Sequence, residues 1–141
     1  MEFTKVNLKE FRKAIKQCRK YVAGKKSGLG ILRCVAIKIT QDEQKLVATN
    51  LEDCIEVPIT ALVGEPVEIC VMHYVLNDLL ATLTDEYIVL AVNDEDTFPR
   101  LIIGSEIDNN ITELIGITTE EFPPLDNIKK YIEEQKKWVT I

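Results

Sequence analysis

The sequence predicts an α+β domain of two βαβββ halves, forming antiparallel sheets with two helices packed on one side. Three observations lead there. Apolar residues alternate between strand and helix spacing in the order strand, helix, strand, strand, strand. The same order returns about 65 residues further on, although the two copies share negligible identity, so the repeat is one of pattern. Each helical segment carries a single apolar stripe, which calls for a shared sheet surface beneath both helices.

EFTKV at residues 2–6 reads as the opening strand. Residues 7–22, NLKEFRKAIKQCRKYV, read as an amphipathic helix, because Leu8, Phe11, Ile15, Cys18 and Val22 recur at steps of three or four. Arg12, Lys13, Lys16, Arg19 and Lys20 fall mostly on the opposite side. Asn7 with Glu10 has the spacing of a capping box, and Val6 with Phe11 that of a hydrophobic staple. Gly24 stands where a helix stop belongs. Val35, Ile37 and Ile39 then alternate as a strand, QDEQ is a polar turn, and KLVATN is the next strand. DCIEVPITAL reads as a further strand with Ile55, Val57 and Ile59 on one face and Pro58 marking an edge or bulge.

The second half opens with the strand PVEICVM. HYVLNDLLATL follows as a helix with Val75, Leu76, Leu79, Leu80 and Leu83 as its stripe. Its polar residues are His73, Asn77, Asp78 and Thr82, with no cation among them. EYIVLAV, PRLIIGS and NITELIGI read as three closing strands.

A length of 141 residues suits one domain, and 46% hydrophobic with 28% charged residues is ordinary for a globular chain. No apolar run reaches the roughly 20 residues of a bilayer span. MEFTKVNLKEF lacks the apolar core of a secretory signal, so a cytoplasmic location is the default expectation. Cys18, Cys34, Cys54 and Cys70 share no CxxC spacing, and they read as buried free thiols in preference to a zinc or disulfide set. The net charge of −6 hides a strong asymmetry. Residues 1–26 hold nine basic residues against two acidic ones, a balance of +7, whereas the rest hold eight against 21, a balance of −13. A basic element on an acidic body creates a local field that attracts polyanions.

AGKKSGLGIL at 23–32 superficially suggests a phosphate loop, but the glycine needed five residues before the Gly24–Lys25 pair is replaced by Arg19. An enzyme is not expected, and neither is a cofactor or metal. The single histidine, His73, opens a helix, and no Ser-His-Asp order, metal cluster or nucleotide loop occurs; the carboxylates scatter over turns and strand faces.

Taken in order, MEFTKVNLKEFRKAI, GKKSGLGIL, LVATNLEDCIEV and TTEEFPPLDN resemble stretches of the first domain of the bacterial sliding clamp, the β subunit of DNA polymerase III. The first resembles that family's opening strand and helix. The second resembles its helix exit, where basic residues precede an Ile-Leu that begins the next strand. The third resembles an L-x-A-T-D-L-E segment, with Asn50 in place of the usual aspartate. The fourth resembles an E-x-F-P exit through Glu121, Phe122 and Pro123. The resemblance covers about residues 1–126 and implies a DNA-clamp domain. It further implies a non-catalytic ring of six such domains, with helices lining the hole and sheets joined edge to edge. By that resemblance, Lys25 and Lys26 match basic residues that face duplex DNA, and Arg12, Lys13, Lys16, Arg19 and Lys20 belong to the matching helix. The implied partners are the phosphate backbone of duplex DNA, contacted without sequence reading, another clamp domain or a second copy through edge strands, and a replication polymerase.

The sequence departs from that pattern in carrying one domain, in lacking cations on the second helix, and in lacking the final domain that holds the family's peptide pocket. Residues 127–141, NIKKYIEEQKKWVTI, form a tail or the start of a following domain. Ile128, Tyr131 and Ile132 suit a short helix, KKWVTI has strand character, and Trp138 is expected in a core or interface. QKKWV faintly resembles glutamine-plus-apolar clamp-binding peptides. Two functions compete: a DNA-binding clamp domain, and an interaction module on the same fold that docks on another clamp without touching DNA.

Overall fold

The structure, a computed structural model, describes residues 3–24, 30–95, 97–107 and 109–139, with the backbone alone at 125 and 135–139. Strand β1 (Thr4–Asn7) leads into helix α1 (Leu8–Cys18), and a 3-10 turn at Arg19–Tyr21 follows. Strands β2 (Cys34–Ile39), β3 (Gln44–Thr49), β4 (Cys54–Pro58) and β5 (Ala61–Leu62) complete the first half. The second half comprises β6 (Val67–Met72), α2 (His73–Ala81), β7 (Tyr87–Asn93), β8 (Arg100–Ser105) and β9 (Asn110–Ile115). Helix α3 (Leu125–Val139) ends the described chain.

Two antiparallel sheets result, one of five strands in the order β5-β1-β7-β8-β9 and one of four in the order β4-β3-β2-β6. The halves of the sequence are therefore interleaved. β1 sits between β5 and β7, with Thr4 opposite Leu90, and β6 pairs with β2, with Ala36 opposite Cys70. Each half gives its first strand to the sheet built mainly by the other.

The inner faces of both sheets and the stripes of α1 and α2 close one core. It contains Phe11, Ile15 and Cys18 from α1, Leu76 and Leu80 from α2, and Ile37, Leu46, Ile69, Leu90 and Leu101 from the sheets. Two helices on one side are as expected. The short helix expected over Ile128, Tyr131 and Ile132 is α3, and its Ile128 and Ile132 pack on the opposite, outer face of the four-stranded sheet, over Cys34, Ala36, Val47 and Cys70. Covered on both sides, β2 is buried at every position except Lys38. Residues 136–139 of KKWVTI are helical, which corrects the strand reading; an amphipathic stripe that already has a sheet to cover continues as helix. The side chain of Trp138 lies outside the described residues.

Three further expectations are corrected. DCIEVPITAL is two strands: β4 ends at Pro58, which supplies no amide proton, and β5 crosses to the other sheet. α1 stops earlier than residue 22, because the chain tightens to a 3-10 turn at Arg19 and turns extended at Val22 (φ −88°, ψ 148°), and no described glycine, Gly24 included, has positive φ. Gly30–Arg33, which includes the Ile-Leu pair, is a 3-10 turn, and β2 begins after it. The capping box forms by half: the Asn7 side chain accepts from the Glu10 N–H at 2.9 Å, but the Glu10 carboxylate accepts from the Thr60 N–H at 2.8 Å instead of reaching back.

The Asn50 substitution has a simple account. Leu51 has φ 71°, and the turn is held by the Asn50 side-chain oxygen, which accepts from the N–H groups of Glu52 (2.9 Å) and Asp53 (2.8 Å). An aspartate oxygen would do the same work, so the amide preserves the turn.

The sheets are joined where the chain leaves β9. Cys70 and Ile117 exchange both backbone hydrogen bonds, at 2.9 and 2.8 Å. A Cβ on Gly116 would stand 2.6 Å from Ile69 Cδ1 and 2.7 Å from the Cys70 carbonyl oxygen, so only glycine fits. A second fastening is buried Asp85, whose carboxylate accepts from the Ser105 hydroxyl (2.7 Å) and from the N–H groups of Glu106 (3.0 Å) and Ile107 (3.1 Å). It ties the segment after α2 to the β8–β9 turn. The Ser105 hydroxyl, then the backbone N–H groups, hold the Asp85 carboxyl below the usual carboxylate range.

The cysteines are free; Cys18, Cys34 and Cys70 are buried and Cys54 is half-buried. Burial pushes the Cys18 and Cys70 thiols up to about 12 and Cys34 to about 11, so all three stay protonated and pack as small apolar groups. Among the described residues no helix is long and apolar enough to cross a membrane.

Gly116→Ala is expected to cost about 1–3 kcal/mol, the usual range for overpacking, measured by denaturant unfolding. Asp85 has a lowered folded pKa, so its stabilisation is complete above the unfolded value of about 4 and is lost as pH falls below it. Asp85→Ala should therefore lower the melting temperature at neutral pH, and the gap from wild type should shrink progressively below about pH 4.

Candidate nucleic-acid interface

α1 owes its orientation to its buried face. Leu8, Phe11, Ala14, Ile15 and Cys18 are buried, so at 100° per residue the intervening positions point away from the sheets. Lys13, Lys16, Arg19 and Lys20 are exposed and Arg12 is half-buried. The structure thus brings these five predicted cations together on one helix and its terminal turn. Lys16 stands in the last turn of α1, where the helix dipole favours a cation. Lys25 and Lys26 lie outside the described residues. The residues flanking their segment meet in a backbone hydrogen bond from Ala23 N–H to the Leu32 carbonyl at 2.8 Å, beside the end of α1.

Among the described residues, the ion pairs engage Lys5, Lys45, Arg100 and Lys129, and none engages Arg12, Lys13, Lys16, Arg19 or Lys20. Lys13, Lys16 and Lys20 line a groove with Tyr21, facing Ile55, Glu56 and Val57 of β4. The acid in that groove is already occupied: Glu56 holds Lys45 at 2.7 Å and Lys129 at 4.0 Å. The hydrogen bond that Lys45 donates to Glu56 raises the Lys45 pKa. Glu10, the acid on α1, is spent on the Thr60 N–H. Mobile ammonium groups without carboxylate partners can neutralise phosphates; nothing in their geometry reads a base edge.

α2 presents a different surface, with Tyr74 and Asp78 exposed, Asn77 half-buried and no lysine or arginine. Its first residue supplies a contact that the sequence reading treats as unremarkable. His73 is buried, and its Nε2 lies 2.7 Å from the Ile15 carbonyl oxygen. That carbonyl is available because the Arg19 N–H bonds to Lys16 O, tightening the last turn of α1. A carbonyl only accepts, so Nε2 carries the proton. His73 therefore caps the end of the basic helix from the neighbouring helix. The available signal is only a polar residue opening an apolar stripe.

Known structures share this fold. The chain aligns with the DNA polymerase III β subunit of Streptococcus pyogenes at a TM-score of 0.75 and 19% identity, over 88% of this chain and 32% of that one. The β chain from Streptococcus pneumoniae aligns at a TM-score of 0.77 and 18% identity, over 89% and 33%. The fold is that of a sliding-clamp domain. A Helicobacter pylori β clamp solved with a DNA ligase peptide matches equally, at a TM-score of 0.75 and 17% identity over 89% and 33%. No protein-family model and no curated protein matches the sequence. The chain spans about a third of the length of these clamp subunits, which is the extent of one clamp domain.

Replacing His73 by leucine leaves the buried Ile15 carbonyl without its partner. A loss of about 1–3 kcal/mol in unfolding free energy is expected. Equilibrium denaturation checks this, and an unchanged midpoint would refute the capping role.

Proposed function

We propose that this chain is a sliding-clamp-type domain that holds duplex DNA through its phosphates, without sequence preference, as a replication processivity factor or part of one. The observation that carries the reading is the set of five cations, Arg12, Lys13, Lys16, Arg19 and Lys20, on α1 and the 3-10 turn that ends it, with no carboxylate partner among the described residues. Lys25 and Lys26 would extend that surface beyond the helix end. One domain cannot enclose a duplex, so a ring would need further domains. β4 and β9 each end a sheet and offer unpaired backbone groups to another copy or another clamp domain. A replication polymerase is the partner such a tether would serve.

A second reading is an adaptor that docks on another clamp without binding DNA. The surface of α2, with Asp78 exposed and no cation, favours it. Charge reversal separates the two. Lys25→Glu with Lys26→Glu should abolish DNA binding in the first case and leave partner binding intact in the second.

For the first reading, log affinity for duplex DNA should fall with log salt at about −0.9 per neutralised phosphate, so about −5 for six contacts. Lys13→Glu with Lys16→Glu should lower affinity at least about tenfold and flatten that slope by about 2. Fluorescence anisotropy across a salt series measures both, and a flat wild-type response would sink the electrostatic account.

A further inference from the structure

Helix α3 stands apart from the rest of the fold. The main core is built from α1, α2 and both sheets, and it contains no described residue of α3. α3 instead seals a smaller cluster of its own, in which Ile128 and Ile132 lie over Cys34, Ala36, Val47 and Cys70, beside Phe122. Of the side chains described on α3, these two isoleucines are buried and the others are exposed. The 11-residue α1, by contrast, buries five. The ion pair from Lys129 of α3 to Glu56 spans 4.0 Å, and it shares its acid with Lys45 at 2.7 Å. A helix so lightly held opens locally at a lower free energy than the domain that carries it. What it covers is sulfur. Cys34 and Cys70 are 1% and 0% exposed, Cys54 is half-buried beside them, and Cys34 Sγ lies 4.0 Å from Met72 Sδ. Cys18 is buried in the main core instead.

We propose that Cys34 and Cys70 form a thiol-modification site gated by α3: lifting the helix opens them to a small disulfide, and the mixed disulfide that forms keeps the helix off. With α3 docked, burial holds both thiols protonated, and Cys34 Sγ donates to the Gly30 carbonyl at 3.6 Å. A protonated thiol is a poor nucleophile, so the docked site is inert. With α3 lifted, the burial that raises both pKa values is gone, and a thiolate forms by releasing its proton to solvent. Its sulfur attacks one sulfur of the incoming disulfide. A new S–S bond forms as the old one breaks, and the departing half leaves as a thiolate. The added group has no room beneath a docked helix, because Cys70 has no exposed surface and a packed core does not absorb extra volume without strain. Docking and modification therefore oppose each other reciprocally. α3 and α1 lie on opposite faces of the four-stranded sheet, so this site is separate from the basic surface.

Timed reaction of the intact chain with dithiodipyridine, a small aromatic disulfide, tests the assignment, with each cysteine followed by peptide mass mapping. Cys54 should react first and Cys18 last, at the rate set by global unfolding. Cys34 and Cys70 should react together between them, at least about 100-fold faster than Cys18. Low urea should raise the Cys18 rate steeply and the Cys34 and Cys70 rates shallowly, since lifting one helix exposes little surface. Ile128→Ala with Ile132→Ala should speed Cys34 and Cys70 at least about tenfold. Should that variant fail to fold, the order and urea dependence in the wild type carry the test. Trypsin reads the reverse coupling: cleavage after Lys129 and Lys130 should be at least about tenfold faster once Cys34 and Cys70 are modified, and dithiothreitol should restore the starting rate. Cys34 and Cys70 reacting in step with Cys18 overturn the proposal, because whole-domain unfolding then exposes them. So does their reacting as fast as Cys54, or a folded isoleucine variant with unchanged rates, or a trypsin rate that modification leaves alone.

Discussion

Burying Leu8, Phe11, Ile15 and Cys18 commits α1 to one rotation about its axis. The hydrophobic effect sets that rotation at roughly 1.5–3 kcal/mol per large side chain, far more than any exposed lysine gains or loses by its own position. The outward cations therefore sit where the core leaves them. Their direction is inherited from packing, and their freedom comes from how nearby acids are used. Glu10 and Glu56 could each quench a lysine, and each is held elsewhere, by a backbone amide and by Lys45 and Lys129. On a chain of net charge −6 this basic surface stands beside two acids, one on α1 and one in its groove, that are both employed in the fold.

Much of this was legible in the residues. Periods of two and 3.6 locate the strands and both inner helices, and the charge split alone singles out α1. What escaped is informative. The division of DCIEVPITAL between two sheets depends on where the chain crosses after Pro58, and alternation looks the same on either side of the crossing. Helix α3 was half-read because residues 136–141 have strand-like composition, while the sheet face that keeps Ile128 and Ile132 in a helix is formed by residues around 34–72, far away in sequence. His73 was passed over since the carbonyl it satisfies is exposed only by a 3-10 tightening at Arg19, a local event with no sequence signature. Lys25 and Lys26 lie outside the described residues, so their part in the basic surface rests on resemblance.

The two outer faces solve one problem in two ways. A sheet between helices and solvent ordinarily alternates apolar and polar positions. Here β2 and β6 bring Cys34, Ala36 and Cys70 outward, and α3 supplies the missing layer. The five-stranded sheet brings Val89, Ala91, Ile102 and Ile111 outward with no such layer among the described residues.

The interleaving of the halves bears on how the molecule comes into being. β1 is made well before its neighbour β7, which follows only after some 80 residues, and Cys70 waits for Ile117. Neither sequence repeat is an autonomous folding unit, since each lacks a strand that the other holds. During synthesis α1 must wait with its apolar stripe unshielded until both sheets can close over it, and such non-local pairing slows folding. The pattern repeat visible in the sequence divides the chain at about its middle; the physical molecule has no such seam.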